Sequence, residues 1–127
     1  EAFIAFANDP AFDAIWFARG GYGACRMAER ALNGLNESAR SKTYLGYSDA
    51  GALLAGLQAR GFSKVAHGPM PVDMIRPGGE AAVKRALAWL IDRAPESVEI
   101  GTMFDGRSAA FNIMVLSSIL GTPLEPD

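Results

Sequence analysis

The order of apolar segments constrains the fold of this chain more than any other feature. A continuous apolar run, Ala14 to Ala18, ends in a glycine-rich turn and is followed by a segment with apolar residues at helical spacing. A second strand–helix unit begins at Thr43, and Val65-Ala66 is a third, very short strand. Continuous apolar runs are typical of buried parallel strands, and short connections between alternating strands and helices favour an α/β architecture. The sequence therefore predicts an α/β fold with a parallel, flavodoxin-like sheet.

The individual elements follow from the same patterns. Strands are predicted at 14–18, 43–47 and 65–66, with a further strand at 98–103. Five helices are predicted: one that ends near Phe6, one between the first two strands, one after Ser48, one at 80–93 and one at 109–120. The apolar face of the second helix consists of Met27, Ala28, Ala31, Leu32 and Leu35. Asn8-Asp9-Pro10 predicts a turn and a helix start, Gly61 a C′ residue, and 70–79 a loop or linker.

Composition excludes several classes of function. The net charge of −2 and the absence of a basic run leave no footprint for nucleic acid, and no apolar run approaches the roughly 18 residues of a membrane span. One cysteine permits no intrachain disulfide and no cysteine-based metal site. The carboxylates show no metal-ligand spacing, so neither a metal nor a cofactor is expected. The Gly20-Gly21-Tyr22-Gly23 turn lacks the spacing of a dinucleotide or phosphate loop and by itself indicates a tight turn.

Ser48 is the first candidate for chemistry. It follows a predicted strand and precedes a predicted helix, which is the setting of a nucleophile elbow. Gly46 and Ala50 would relieve crowding there, although Ala50 departs from the G-x-S-x-G pattern. The alternative is that Ser48 or Asp49 caps the helix, and the spacing alone favours that interpretation.

Two further side chains invite a catalytic interpretation. His67, the single histidine, follows a short strand and could act as a base for Ser48, but a loop histidine that shapes the Gly68-Pro69 turn is the more common case. Cys25 lies early in a predicted helix, whose N-terminus can lower the pKa of a thiol, but a lone cysteine among Ala24, Met27 and Ala28 is more often a small buried apolar residue.

Three motifs together resemble those of the LD-carboxypeptidases. Ile15 to Gly23 resembles the strand and R-G-G-Y-G loop of that family, Leu45 to Asp49 its I-G-Y/F-S-D nucleophile motif, and Ala66 to Met70 its H-G-P motif. They occur in the family's order and at similar spacing. The segment from Asn112 to Thr122 resembles the helix at the start of the family's second domain, but Ala109-Ala110-Phe111 replaces the usual glycines.

The resemblance implies a metal-free Ser-His-Glu peptidase that releases a terminal D-amino acid from muropeptides during cytoplasmic cell-wall recycling. Ser48 maps onto the nucleophile, and the backbone N–H groups of Gly21 and Asp49 map onto the oxyanion hole. The family's catalytic Glu and His lie in a C-terminal domain beyond Asp127, so His67 is not expected to be the base, and a homodimer of the full-length parent stays open.

The resemblance and the small number of strands indicate a piece of a longer protein. Residues 1–75 are expected to be part of the nucleophile domain, 76–97 a linker and helix, and 98–127 the start of the second domain. Two alternatives remain. One is a microcin C immunity-type serine peptidase acting on aminoacyl-nucleotide analogues, although Tyr22 favours the muropeptide branch. The other is a non-catalytic α/β module that binds a small ligand.

Overall fold

The computed structural model describes residues 1–98 and 109–126. The helices in this part are α1 Ala2–Asn8, α2 Ala24–Asn33, α3 Glu37–Arg40, α4 Gly51–Ala59, α5 Gly79–Asp92 and α6 Ile113–Ile119. The strands are β1 Ala14–Trp16, β2 Thr43–Gly46 and β3 Val65–His67. Short 3-10 helices occupy Ser48–Ala50, Pro71–Ile75 and Pro95–Ser97. None of the described helices is long and apolar enough to cross a membrane.

The three strands form one parallel sheet in the order β1-β2-β3, which confirms the predicted α/β class. Trp16 is in register with Leu45, and Gly46 is in register with His67. Because the strands are parallel, their carboxyl ends meet at one edge, where open α/β sheets place ligands. The glycine-rich turn, the Ser48 turn and the segment after His67 therefore all leave the sheet at this edge.

The core lies where α2 and α4 pack on each other and α4 covers β2 and β3. Gly56 makes the close approach possible, because a β-carbon on it would lie 2.4 Å from Leu32 Cδ1 and 2.6 Å from Leu124 Cδ2. All residues of α4 from Gly51 to Leu57 are buried, which explains its nearly uniform apolar sequence. This helix therefore anchors the Ser48 turn that precedes it to the core.

Several local predictions are confirmed. Phe3 to Phe6 lies in α1, and Gly61 has a φ of 78° just beyond the end of α4, as a C′ glycine should. The helix predicted at 109–120 is present as α6 but begins only at Ile113, where the Asn112 side chain caps it by accepting the Val115 N–H at 2.8 Å. Local signals were sufficient at these positions because the interactions join residues close in sequence.

Other local predictions are wrong. No helix starts at Asn8-Asp9-Pro10; α1 ends there, and Asp9 Oδ1 instead accepts the Ala11 N–H in a turn. Met27 is 46% exposed, because α2 turns Ala28, Ala31 and Leu32 to the core. His67 belongs to β3, and the supposed loop at 70–79 contains a 3-10 helix. The strand predicted at 98–103 lies almost wholly outside the described residues.

Candidate active site

Ser48 lies in the sharp turn between β2 and α4, and its backbone is strained. Tyr47 is extended, with φ −154° and ψ −165°, whereas Ser48 has a φ of 58°. A left-handed conformation costs a non-glycine residue roughly 1–2 kcal/mol and is rarely retained without a reason. Strand, strained serine and helix follow one another as in a nucleophile elbow.

The interpretation of Ser48 or Asp49 as a helix cap does not hold. The residues in the N-cap positions are Tyr47 for the 3-10 helix and Ala50 for α4, and neither helix start has a side-chain cap. A capping serine would also have a relaxed β backbone, which the φ of 58° at Ser48 excludes. Local helix capping therefore does not explain the serine at this turn.

Small residues on both sides make room for the turn. A β-carbon on Gly46 would lie 2.9 Å from Cδ2 of Phe17, the residue that follows β1. Ala50 is buried beneath the turn, with 3% of its surface exposed. Both observations match the expectation that small residues relieve crowding at positions 46 and 50.

The glycine-rich turn after β1 lies directly against Ser48, and Gly20 makes the contact. A β-carbon on Gly20 would lie 3.1 Å from Ser48 Oγ and 3.4 Å from Asp49 Oδ2. A β-carbon on Gly21 would meet no atom within 4 Å, so this residue borders open space. Backbone N–H groups beside a serine hydroxyl suit an oxyanion. The roles of Gly21 and Asp49 in such a hole stay predictions.

His67 packs against Tyr47 at the end of β3. The two rings meet edge to face with centroids 5.9 Å apart. The residue is exposed at the mouth of a cavity, yet the protein atoms around the imidazole desolvate it and lower the pKa of His67 below its ordinary value. Among the described residues, no hydrogen bond joins His67 to Ser48.

A polar cluster that the sequence did not reveal supports the residue before Ser48. The Tyr47 hydroxyl donates to Asp73 Oδ1 at 2.7 Å, and Arg76 Nη1 lies 3.0 Å from both oxygens. The other carboxylate oxygen of Asp73 accepts the Met70 N–H at 2.9 Å. Asp73 is 26 residues from Tyr47, inside a segment that reads as a loop, so no local spacing signals the pairing.

The charge state of this cluster follows from its hydrogen bonds. Burial acts to raise the pKa of Asp73, but the Met70 N–H, the Tyr47 hydroxyl and Arg76 outweigh it and lower the pKa. The hydrogen bond to Asp73, with burial, raises the pKa of Tyr47. At neutral pH the cluster therefore holds an ionised carboxylate and a protonated phenol.

A cavity of about 790 Å³ lies beside this cluster. Its walls include Tyr47, His67, Asp73, Arg76 and Trp89, and they do not include Ser48. The cavity is thus adjacent to the Ser48 turn and is not centred on the hydroxyl.

The described residues offer no metal site. Within 1–98 and 109–126, no three His, Cys, Asp or Glu side chains are grouped to hold an ion. Cys25 is free, half-buried and packed against the apolar core, as a small apolar residue would be.

Known proteins match this chain over most of its length. Residues 1–68 match the family model described as the LD-carboxypeptidase N-terminal domain. A protein of Streptomyces coelicolor, "Putative carboxypeptidase SCO6489", is 33% identical over 126 residues, which cover 91% of this chain and 39% of the relative. The chain thus spans 39% of the length of this relative. On the family match, the chain belongs to the LD-carboxypeptidase N-terminal domain family.

Proposed function

We propose that this chain is the nucleophile-bearing part of a serine-type LD-carboxypeptidase. The whole protein would cleave the L-to-D peptide bond that releases a terminal D-amino acid from muropeptides, as a step of cell-wall recycling in the cytoplasm. Residues 98–127 would begin its second domain.

The observation that carries the proposal is the Ser48 turn. A serine with a φ of 58° stands between strand and helix, with a glycine-rich turn packed against its hydroxyl. Backbone strain clusters at functional sites, and Ser48 has it at a strand-to-helix turn, whereas Arg93, the other described non-glycine residue with a positive φ, ends a helix, where that conformation is common. The family match over residues 1–68 includes both the turn and the glycines.

In the proposed reaction, Ser48 Oγ attacks the carbonyl carbon of the L-residue and transfers its proton to a base. The carbonyl oxygen becomes an oxyanion that the N–H groups of Gly21 and Asp49 stabilise. Collapse of this intermediate breaks the C–N bond, and the base returns its proton to the nitrogen of the departing D-amino acid. Water then hydrolyses the Ser48 ester. The base would be a histidine paired with a glutamate in the part of the protein beyond this chain.

The test is release of D-alanine from a murein tetrapeptide by the whole protein. Ser48→Ala should lower kcat by ~10³-fold or more, because a serine hydrolase without its nucleophile retains only binding and oxyanion stabilisation. Ser63→Ala is the matched control, since Ser63 is exposed and lies after α4, away from the turn. Equal activity of wild type and Ser48→Ala would refute the proposal.

The substrate class is tested by comparison within the same assay. Wild type is offered the tetrapeptide, the tetrapeptide with a terminal L-alanine, and an aminoacyl-nucleotide analogue. Cleavage of the D-terminated peptide alone supports the LD-carboxypeptidase. Cleavage of the nucleotide analogue alone would assign the protein to the microcin C immunity type, and tight binding without turnover would indicate a ligand-binding module.

A further inference from the structure

We propose that Asp73 is a positioning residue that holds the Ser48 turn through the hydroxyl of Tyr47. This inference rests on the proposed function, because it assigns to Asp73 a part in the reactivity of Ser48. Asp73 touches no reacting atom in this scheme. Its carboxylate binds the hydroxyl of Tyr47, the residue directly before the strained Ser48.

The geometry begins with a strained residue that needs support. Tyr47 is extended, and the next residue has a φ of 58°, so the chain changes direction sharply between them. Such a conformation persists only where its surroundings over-determine it. On the helix side, α4 is fully packed from Gly51 to Leu57. On the strand side, the Tyr47 hydroxyl is held by Asp73 at 2.7 Å.

Asp73 can hold Tyr47 because its own position is fixed. Its Oδ2 accepts the Met70 N–H at 2.9 Å, and its side chain is 9% exposed. The first residue of α5, Gly79, packs on its backbone so tightly that a β-carbon there would lie 1.8 Å from the Asp73 carbonyl oxygen. Arg76 is 65% exposed on its side chain, so its ion pair with Asp73 is screened and secondary.

The segment that carries Asp73 is also bound to both strands that lead into the candidate site. The Gly68 N–H donates to the Gly46 carbonyl at 3.0 Å, and the Val72 N–H donates to the Ala18 carbonyl at 3.2 Å. Trp16 Nε1 donates to the Pro69 carbonyl at 2.8 Å. Residues 68–73 therefore connect the glycine-rich turn with the Ser48 turn, and Asp73 is the side chain in that segment that reaches Tyr47.

The test compares single hydroxyl deletions in the whole protein. Tyr47→Phe removes the hydrogen bond to Asp73, together with the weaker one from the exposed Arg76, and keeps the ring against His67. Tyr44→Phe is the matched control, because Tyr44 lies in β2 and its buried hydroxyl also donates one hydrogen bond, to the Ala39 carbonyl at 2.9 Å. We expect Tyr47→Phe to lower kcat ~10-fold or more with little change in KM, because small misplacements of a reacting group cost rate. Tyr44→Phe should lower the melting temperature and leave kcat unchanged.

Asp73→Asn extends the comparison. The double variant Tyr47→Phe/Asp73→Asn should have a kcat no lower than that of the more impaired single variant. The two substitutions remove the same hydrogen bond, so their effects on kcat are not additive. If Asp73→Asn does not fold, Tyr47→Phe alone decides. An unchanged kcat in Tyr47→Phe, or a loss matched by Tyr44→Phe, would overturn the inference.

Two measurements separate this inference from the proposed function. The first is the rate of Ser48 labelling by a fluorophosphonate, which needs no peptide substrate and should also fall in Tyr47→Phe. The second is amide hydrogen exchange over residues 46–51, which should become faster in Tyr47→Phe and not in Tyr44→Phe. If wild-type Ser48 is never labelled, the proposed function fails, and the positioning role is then tested by hydrogen exchange alone. Equal exchange rates over residues 46–51 in wild type and Tyr47→Phe would refute that role. If wild type is labelled and Tyr47→Phe is labelled equally fast, the function stands and the positioning role fails.

Discussion

Gly20 lies so close to Ser48 that a β-carbon on the glycine would be 3.1 Å from the serine Oγ. This contact joins the turn after β1 to the turn after β2 at the atom proposed to be the nucleophile. The two turns are 28 residues apart in sequence and meet because β1 and β2 are parallel neighbours. The space beside Ser48 Oγ on this side therefore exists because residue 20 has no side chain.

Gly20→Ala should reduce activity with little effect on stability. The added methyl group would force Ser48 or the glycine turn to move by a few tenths of an ångström, and a shift at the nucleophile should lower kcat by ~10-fold or more. Gly51→Ala is the control, because its methyl group would make ordinary contacts at 3.5 Å with Phe111 and Val115. D-Alanine release and melting temperature are measured for both, and full activity in Gly20→Ala would contradict the tight contact.

His67→Ala should lower the activity of the whole protein far less than Ser48→Ala. The imidazole packs on the Tyr47 ring, so its loss disturbs a neighbour of the turn and removes no proposed proton-transfer group. We expect less than a ~10-fold fall in kcat, against ~10³-fold or more for loss of the nucleophile. Comparable losses, with the fold intact by circular dichroism, would instead make His67 the base.

The imidazole of His67 should titrate below its ordinary pKa of 6.5. Desolvation disfavours the charged ring in the folded state, so the folded-state pKa lies below that of the unfolded chain. The free energy of unfolding is therefore highest, as far as His67 is concerned, above about pH 6.5, and it decreases as the pH falls through the folded-state pKa. His67 is the single histidine of this chain, so the C2 proton of the isolated 127-residue chain gives one NMR titration curve. A midpoint at or above 6.5 would contradict the desolvation of the ring.

Gly79→Ala should destabilise the protein strongly. A β-carbon there would overlap the Asp73 carbonyl oxygen at 1.8 Å, and backbone must move to relieve it, at a cost of at least ~2 kcal/mol. Gly61→Ala is the comparison, because that site has open space and a φ of 78°, so only conformational strain of roughly 1–2 kcal/mol is expected. Thermal melting should rank the two variants in this order, and the reverse order would be evidence against the packing of α5 on residues 71–75.

The 127-residue chain by itself should release no D-alanine. A serine hydroxyl is a weak nucleophile without a base, and no described residue is in hydrogen-bonding contact with Ser48 as a base would be. The assay uses the isolated chain beside the whole protein. Turnover by the isolated chain that disappears in Ser48→Ala would reopen the case for His67.

The sequence around Ser48 identifies a candidate nucleophile but does not determine its backbone geometry. The short strand before Ser48 and the helix after it predicted the turn, yet the same spacing favoured a helix cap. The φ of 58° at Ser48, and N-cap positions occupied by Tyr47 and Ala50, separate the two interpretations. The backbone conformation of Ser48 depends on where the strand before it and the helix after it are packed. That packing is set by residues distant in sequence, so the local sequence does not reveal it.

By itself, the sequence determined the α/β class, the parallel sheet and the glycine at the end of α4, because apolar periodicity and turn chemistry act over a few residues. The tertiary structure decided which residues meet: Gly20 with Ser48, His67 with Tyr47, and Asp73 with the Tyr47 hydroxyl. It also decided that Met27 faces solvent although it lies at helical spacing. These outcomes depend on strand register and on the close approach of α2 to α4, which join residues far apart in sequence and leave no local pattern.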